Sequence, residues 1–191
     1  MRIADILYFS PDYKFSHLKW DDKKTLIDAF KDRVKGFYLE PAKKLNEDKN
    51  GFATGVLCVT TIDFLARIAT TETDKVEKRI LEWLKANIEE FREADPDAPR
   101  QTLANRLYDE FRNGLVHEGR IKNAGQFSYD FQELVEVGDG IMVVNPDRLL
   151  NAINSSFERY IDQIERKEFV FHQFRCALMR DFQKDVEYAN R

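Results

Sequence analysis

GFATGVLCVTTIDFLARIA, residues 51–69, is the stretch of this chain in which apolar residues occupy almost every position. A helix that is apolar on all sides is buried by its neighbours, so the stretch predicts a central helix packed inside a bundle. The small residues Gly51, Ala53 and Gly55 favour close contacts with neighbouring helices. Asp63 is the one acid in the stretch, and we expect it to be hydrogen-bonded or to lie at the core boundary.

A second helix is predicted before this stretch. Asp21 or Asp22 provides the N-cap, and apolar residues then recur in steps of three and four until Pro41, which we expect to kink or end the helix. The preceding residues 1–20 mix aromatic and polar side chains. They predict an N-terminal arm packed on a single helical domain of residues 21–191.

An acidic amphipathic helix is predicted after the central stretch. Thr71 and Asp74 form a capping box, and apolar residues recur at helical spacing as far as residue 91. The whole negative balance of the chain lies in residues 72–97, which we interpret as a solvated face. The Asp-Pro-Asp-Ala-Pro sequence at 95–99 breaks this helix and precedes the next one.

The last part of the chain is predicted to contain three more helices and one hairpin. Gly138-Asp139-Gly140 separates two short apolar runs, as in a β-hairpin, and Asn145-Pro146 has the N-cap and first-turn residues of a helix. In chain order the elements are a helix over 100–117, an irregular stretch over 121–130, a hairpin over about 131–144, and helices over 146–166 and 169–188. The predicted fold class is all-α, a helical bundle with a small inserted β-hairpin.

Composition excludes several classes of protein. The 191 residues include 30 Lys and Arg against 34 Asp and Glu, a net charge of −4, which argues against a general nucleic-acid-coating protein. Cys58 and Cys176 lie in apolar helical contexts and are expected to be buried free thiols in a reducing compartment. The longest uncharged run, 51–62, is too short to span a bilayer, and the N-terminus lacks a secretion signal. We therefore expect a cytoplasmic protein with no membrane partner.

The sequence FRNGLVHEGR at 111–120 contains the best candidates for chemistry. Asn113 and His117 share a helix face, and Arg106 lies on the same side. Arg112 and His117 are five apart, so about 140° separates them on a regular α-helix. They could converge if the helix loosens near Gly114, or if two copies of the chain share one cleft.

Arginine and histidine together suit the cleavage of RNA, whose 2′-OH is an internal nucleophile. A histidine can act as general base or acid near neutral pH, and a guanidinium can bind the phosphate oxygens as negative charge develops. Asn113 could fix the imidazole tautomer or hold a phosphate oxygen, while Arg120 and Lys122 could steer the RNA backbone. This route needs no metal or other cofactor and leaves a 2′,3′-cyclic phosphate.

Other interpretations of these residues remain open or are poorly supported. His117 and Gly119 would also suit an ordinary helix C-terminus, in which the histidine complements the helix dipole. A metallohydrolase is poorly supported, because His17, His117 and His172 are far apart in the sequence. A cysteine nucleophile is poorly supported, because neither cysteine has polar neighbours in the sequence. A phosphate-binding glycine loop is poorly supported, because Gly51 and Gly55 are not followed by Lys and then Ser or Thr.

The segment FRNGLVHEGRIKNAGQFSYD resembles the motif region of the HEPN superfamily (higher eukaryotes and prokaryotes nucleotide-binding domain). Arg112, Asn113 and His117 match its pattern of Arg, a polar residue and a later His. The resemblance extends more weakly over residues 21–168. It implies an all-α bundle that dimerises through the motif region, and active members are metal-independent endoribonucleases, often toxins or effectors in prokaryotic antiphage and toxin–antitoxin systems.

Two functions follow as hypotheses. The first is a homodimeric endoribonuclease with RNA as substrate and an antitoxin or other regulatory protein as a further partner. Arg112 and His117 are then catalytic and Asn113 supports them. The substrate-binding candidates are Arg106, Glu118, Arg120 and Lys122. The second is a catalytically silent HEPN-like module that dimerises and binds a partner protein or nucleotide through the acidic 72–97 face and the N-terminal arm.

Overall fold

The computed structural model of the chain describes residues 1–3, 5–70 and 75–189, and most of these residues are helical. The α-helices are α1 (Lys23–Val34), α2 (Glu40–Glu47), α3 (Gly51–Ala69), α4 (Val76–Asn87), α5 (Leu103–Arg106), α6 (Pro146–Arg166) and α7 (Glu168–Ala189). Two π-helical segments, Lys35–Leu39 and Leu107–Glu118, continue α1 and α5, and short 3₁₀ turns cover Phe15–His17 and Glu89–Arg92. The strands are β1 (Arg2–Ile3), β2 (Ile6–Leu7), β3 (Gln126–Phe127), β4 (Val135–Gly138) and β5 (Ile141–Val144).

The predicted central helix is α3, which packs against α2, α4, α6 and α7. By length and composition alone this helix could cross a membrane, and half of its most apolar window is buried inside the fold. The small residue Gly55 serves a different contact from the one expected. A Cβ there would lie 2.1 Å from the ring of Phe127, so Gly55 admits an aromatic side chain of β3 and not a neighbouring helix.

The first helix begins as predicted and ends differently. Asp22 is the N-cap, and its carboxylate accepts a hydrogen bond from the Thr25 N–H at 2.9 Å. Pro41 does not end the helix, because the chain continues through a π-helical turn at Lys35–Leu39 directly into α2. Proline has no N–H to give to the preceding turn, and a widened turn just before it accommodates that loss.

The expectation of a purely all-α fold with one hairpin needs correction, because the chain forms two small sheets. β4 and β5 form the predicted antiparallel hairpin, with Asp139 and Gly140 both at positive φ in the turn. β3, in the stretch expected to be irregular, pairs in parallel with β5 and makes the sheet three-stranded. β1 and β2 form a separate antiparallel pair within the N-terminal arm.

Other helix ends follow their sequence signals. Asn145 caps α6, its side chain accepting from the N–H groups of Asp147 and Arg148, and Pro146 is the first helical residue. The capping box proposed at Thr71 and Asp74 lies outside the described residues.

The two cysteines differ in burial. Cys58 is buried as expected, but Cys176 is exposed because its position on α7 faces away from the core.

The N-terminal arm contributes to the same core as the helices. Phe9 and Phe15 are buried, and both rings contact Phe182 of α7. Arg33 of α1 lies against this aromatic cluster and donates a hydrogen bond to the carbonyl of Phe9. Burial among aromatic rings lowers the pKa of Arg33. The arm is therefore attached to the bundle by apolar packing, by the partly buried Arg33 guanidinium, and by a hydrogen bond from the Asp12 N–H to Asp32 of α1.

Candidate active site

The motif helix, defined as α5 together with the π-helical segment Leu107–Glu118, brings Arg112 and His117 together within one chain. Arg112 Nη1 lies 3.3 Å from His117 Nε2. In a π-helix the backbone hydrogen bonds connect residues five apart, so the turn is wider than in an α-helix and side chains at i and i+5 approach one another. The loosening near Gly114 that the sequence left open is therefore present, and the two side chains meet without a second copy.

The π-helical end of the motif helix is held by the residues that follow it. The N–H of Gly119, which has a left-handed φ of 67°, donates to the carbonyl of Gly114 five residues earlier. The chain then folds back over the helix, and the N–H of Lys122 donates to Glu110 O at 3.0 Å. A Cβ on Gly114 would lie 2.4 Å from the carbonyl oxygen of Arg120, so only glycine fits at this contact.

Asp63 of α3 fixes the guanidinium of Arg112. Its Oδ2 accepts from Arg112 Nη2 at 2.6 Å and from Nε at 3.2 Å, while its Oδ1 lies 3.5 Å from Arg79 Nη2. The side chains of Arg112 and Asp63 are only 14% and 26% exposed, so this ion pair lies at the edge of the core. The expectation that Asp63 is hydrogen-bonded or lies at the core boundary is confirmed. Its hydrogen-bond partner is Arg112, a catalytic candidate of the motif.

The remaining hydrogen bonds of Arg112 define the state of His117. Arg112 Nη1 also donates to Asn113 Oδ1 at 3.1 Å, so Asn113 supports the guanidinium and not the imidazole. Because a guanidinium has only donors, His117 Nε2 must be the acceptor, which places the imidazole proton on Nδ1 in this arrangement. His117 is exposed, and four of the five N–H groups of Arg112 are engaged.

Sequence reasoning missed three neighbours of this site. Asp63 and Arg79 complete the charge network of Arg112, and the ring of Tyr108 lies 5.8 Å from the Arg112 guanidinium carbon. Asp63 left a usable signal, because a lone acid inside an apolar helix requires a buried partner. Arg79 and Tyr108 left none, since each also fits an ordinary amphipathic helix.

Arg106, a predicted substrate contact, lies in a buried cluster of charged side chains. Its side chain is 8% exposed and forms ion pairs with Asp97 at 2.7 Å, Glu110 at 3.0 Å and Asp95 at 3.3 Å. It also donates to the carbonyl of Gly140 in the hairpin turn. Burial disfavours the charged form of Arg106 and by itself would lower its pKa. The three carboxylates stabilise the charged form more strongly, so the pKa of Arg106 is raised. The cluster ties the 95–97 loop and the hairpin to the motif helix.

The other substrate-binding candidates lie beside the end of the motif helix and pair with one another. Arg120 Nη2 lies 2.6 Å from Glu118 Oε2, and Lys122 Nζ contacts Asp109 at 3.2 Å and Glu118 at 3.5 Å. The hydrogen bond to Asp109 raises the pKa of Lys122. Each cation near the site thus has an acidic neighbour, which reduces the local positive charge available to a phosphate backbone.

Within the described part of the chain, no group of three or more His, Cys, Asp or Glu side chains is placed to hold a metal ion. The arrangement instead offers a fixed guanidinium, an exposed imidazole and an amide at one surface. No protein-family model matches the chain, and comparisons with curated proteins and with solved structures gave no match.

Proposed function

We propose that this chain is a metal-independent endoribonuclease of the HEPN type, with His117 and Arg112 as its catalytic residues. The observation that carries the proposal is the 3.3 Å contact between Arg112 Nη1 and His117 Nε2 on an exposed π-helical turn. A purely structural helix end does not need an arginine beside the histidine. π-Helical segments are rare and occur frequently at functional sites, which supports the proposal further.

The geometry suggests how the two side chains exchange partners when RNA binds. A phosphate oxygen replaces His117 as the acceptor for Arg112 Nη1, and this frees the lone pair of His117 Nε2. His117 then takes the proton of the 2′-OH, the 2′ oxygen bonds to phosphorus, and the P–O5′ bond breaks. The 5′ oxygen takes a proton from water, and Arg112 neutralises the charge that develops on the phosphoryl oxygens. Asp63 and Asn113 are positioning residues, because they act through Arg112.

The test is an RNA cleavage assay in the presence of EDTA. The purified chain is expected to cut a labelled single-stranded RNA and to leave 2′,3′-cyclic phosphate ends, detected by mass spectrometry. An RNA with 2′-O-methyl groups is expected to remain intact, because it has no free nucleophile. His117→Gln should reduce the cleavage rate at least about 100-fold, the size of a typical general-base contribution.

His17→Gln is the matched control, because His17 is an exposed histidine of the N-terminal arm and should not affect cleavage. Thermal unfolding of both variants should match the parent chain. Equal cleavage by His117→Gln and the parent, or cleavage of the 2′-O-methyl RNA, would contradict the proposed reaction.

The alternative function is a catalytically silent HEPN-like module that dimerises and binds a protein or nucleotide. The engagement of Arg112 by Asp63, Asn113 and His117 favours this alternative, because few of its donors are free for a phosphate. It predicts that clean protein leaves RNA intact while a nucleotide or partner protein still binds.

Regulation forms part of the proposal. An active ribonuclease in the cytoplasm would damage the RNA of its own cell, so we propose control by an antitoxin or another regulatory protein, as in a defence or toxin–antitoxin system. A homodimer would place two Arg112–His117 sites on one particle. Sedimentation of the purified chain measures its oligomeric state directly.

A further inference from the structure

The outer face of α7 has an unusual composition for an exposed helix surface. Phe169, His172, Cys176 and Met179 follow one another in steps of three, four and three residues, and all four are exposed. Phe169 is 72% exposed and Met179 is 44% exposed. The core face of the same helix is separately supplied by buried residues such as Phe174. Steps of three and four are those of a helix face that packs against another helix.

The centre of this face holds a histidine and a cysteine in direct contact. His172 Nε2 lies 3.6 Å from Cys176 Sγ, one helical turn away. Tetrahedral zinc binds histidine nitrogen at about 2.0–2.1 Å and thiolate sulfur at about 2.3 Å, which separates two such ligands by about 3.6 Å. The side chains therefore already have the spacing that a shared zinc ion requires, with no change of backbone.

We propose that His172 and Cys176 form half of a Cys₂His₂ zinc site, which a second copy of the chain completes through its own α7. Two ligands from one chain do not fill a structural zinc site, which has four protein ligands. Cysteine binds as the thiolate, so each Cys176 releases one proton when the metal binds.

The second copy fits because the face is self-complementary. The midpoint between His172 and Cys176 and the midpoint between Phe169 and Met179 both fall at position 174. An antiparallel pairing of two α7 helices about a two-fold axis at this level places each His172 opposite the other copy's Cys176. It also places each Phe169 opposite the other copy's Met179, a favourable contact between sulfur and an aromatic ring. The four metal ligands then surround the axis, with apolar contacts on both sides.

This site is independent of the Arg112–His117 site, because it lies on α7 and shares no residue with the motif helix. The exposure of Cys176, which the sequence did not predict, is what makes the pair available to a metal.

Zinc titration of the full chain tests the proposal. Metal-free protein in a non-thiol reductant is titrated with ZnCl₂ while its mass is measured by light scattering and its zinc content by elemental analysis. We expect one zinc ion per two chains and a zinc-dependent doubling of mass that a chelator reverses. Cobalt(II) in place of zinc should give the visible spectrum of a tetrahedral site with thiolate ligands.

Matched variants separate this site from other metal binding. Cys176→Ser and His172→Gln should each weaken zinc binding more than about 100-fold. This loss of affinity is larger than the usual loss when the changed residue only hydrogen-bonds to a metal ligand. Phe169→Asp should reduce the zinc-dependent doubling without removing a ligand. His17→Gln should behave as the parent chain. Binding of one zinc per chain without a change in mass, or full zinc binding by Cys176→Ser, would overturn the proposal.

Discussion

Two arginines six positions apart on the motif helix have different roles because their surroundings differ. Arg106 is buried among Asp95, Asp97 and Glu110, whereas Arg112 lies at the core edge with His117 on its open side. The sequence predicted Arg112 as a catalytic residue and Arg106 as a substrate contact. At the scale of the residue, burial and the number of acidic neighbours decide which arginine can contact a ligand.

The first prediction concerns the stability provided by Arg106. Arg106→Gln should lower the free energy of unfolding by about 3–5 kcal/mol, because it leaves buried carboxylates without their counter-charge. Urea denaturation measures the change. Arg120→Gln is the control, since its ion pair with Glu118 is exposed and should contribute at most about 1 kcal/mol. Equal destabilisation by both variants would contradict this interpretation of the cluster.

The two cysteines should differ in reactivity and in their effect on pH dependence. Burial raises the pKa of the Cys58 thiol in the folded chain. The contribution of the protonated thiol to folding stability is therefore complete below the pKa that Cys58 has in the unfolded chain. That contribution is lost as the pH rises from there toward the higher pKa of Cys58 in the folded chain. Above about pH 8.5 the folding equilibrium constant should fall by at most about tenfold per pH unit from this residue. Denaturation curves at pH 8.5 and 9.5 measure that slope.

Cys58→Ala should flatten the slope, and Cys176→Ser, which changes the exposed thiol, should not. In the folded parent chain a thiol reagent should label Cys176 at once and Cys58 only after unfolding. Rapid labelling of both cysteines in the folded protein would show that Cys58 is accessible.

At the scale of the element, the π-helical turn makes the candidate site possible. On a regular α-helix Arg112 and His117 would point about 140° apart, whereas the wider turn brings their nitrogens within 3.3 Å. The return of the chain over Gly114 stabilises this conformation, because Gly119 and Lys122 donate their N–H groups to carbonyls of the helix. The geometry of the site thus depends on residues that do not belong to the motif.

The next prediction uses Gly114. Gly114→Ala would force its Cβ to within 2.4 Å of the Arg120 carbonyl oxygen, so the chain must shift. We expect a loss of about 1–3 kcal/mol in stability and a reduced RNA cleavage rate. Gly138→Ala is the control, because its Cβ would meet no atom within 4 Å. Retention of full cleavage by Gly114→Ala would show that the contact between Arg112 and His117 does not need the π-helical turn.

At the scale of the whole molecule, the charge distribution limits how RNA can bind. The net charge is −4, and Arg112, Arg120 and Lys122 all have acidic partners. Under the proposed function, recognition of RNA by such a surface would depend on a few local contacts and not on long-range attraction.

Salt dependence checks this view of binding. We expect the affinity of the His117→Gln protein for single-stranded RNA to fall as the salt concentration rises. On a plot of the logarithm of affinity against the logarithm of salt concentration, the slope should be at most about 2 in magnitude, because about three phosphates are neutralised. Fluorescence anisotropy gives the slope. Lys122→Gln should reduce the slope by about 0.7. A slope well above 2 in the His117→Gln protein would indicate a larger basic surface elsewhere.

The sequence by itself determined most of the helical framework. The apolar residues of α3 predicted its central position, and Asn145-Pro146 predicted the start of α6 at the correct residue. The turn at Asp139-Gly140 predicted the β4–β5 hairpin. These features depend on local hydrogen bonds, backbone preferences and the period of apolar residues, all of which are present in a short stretch of chain.

The tertiary structure decided what surrounds each candidate side chain. The pairing of Arg112 with Asp63 joins residues 49 positions apart, and the addition of β3 to the sheet depends on how the chain packs after the motif helix. The burial of Arg106 and the exposure of Cys176 follow from the same packing. Contacts between distant residues depend on the mutual placement of whole elements, and a residue's charge neighbours and solvent exposure are therefore set only when the chain is folded.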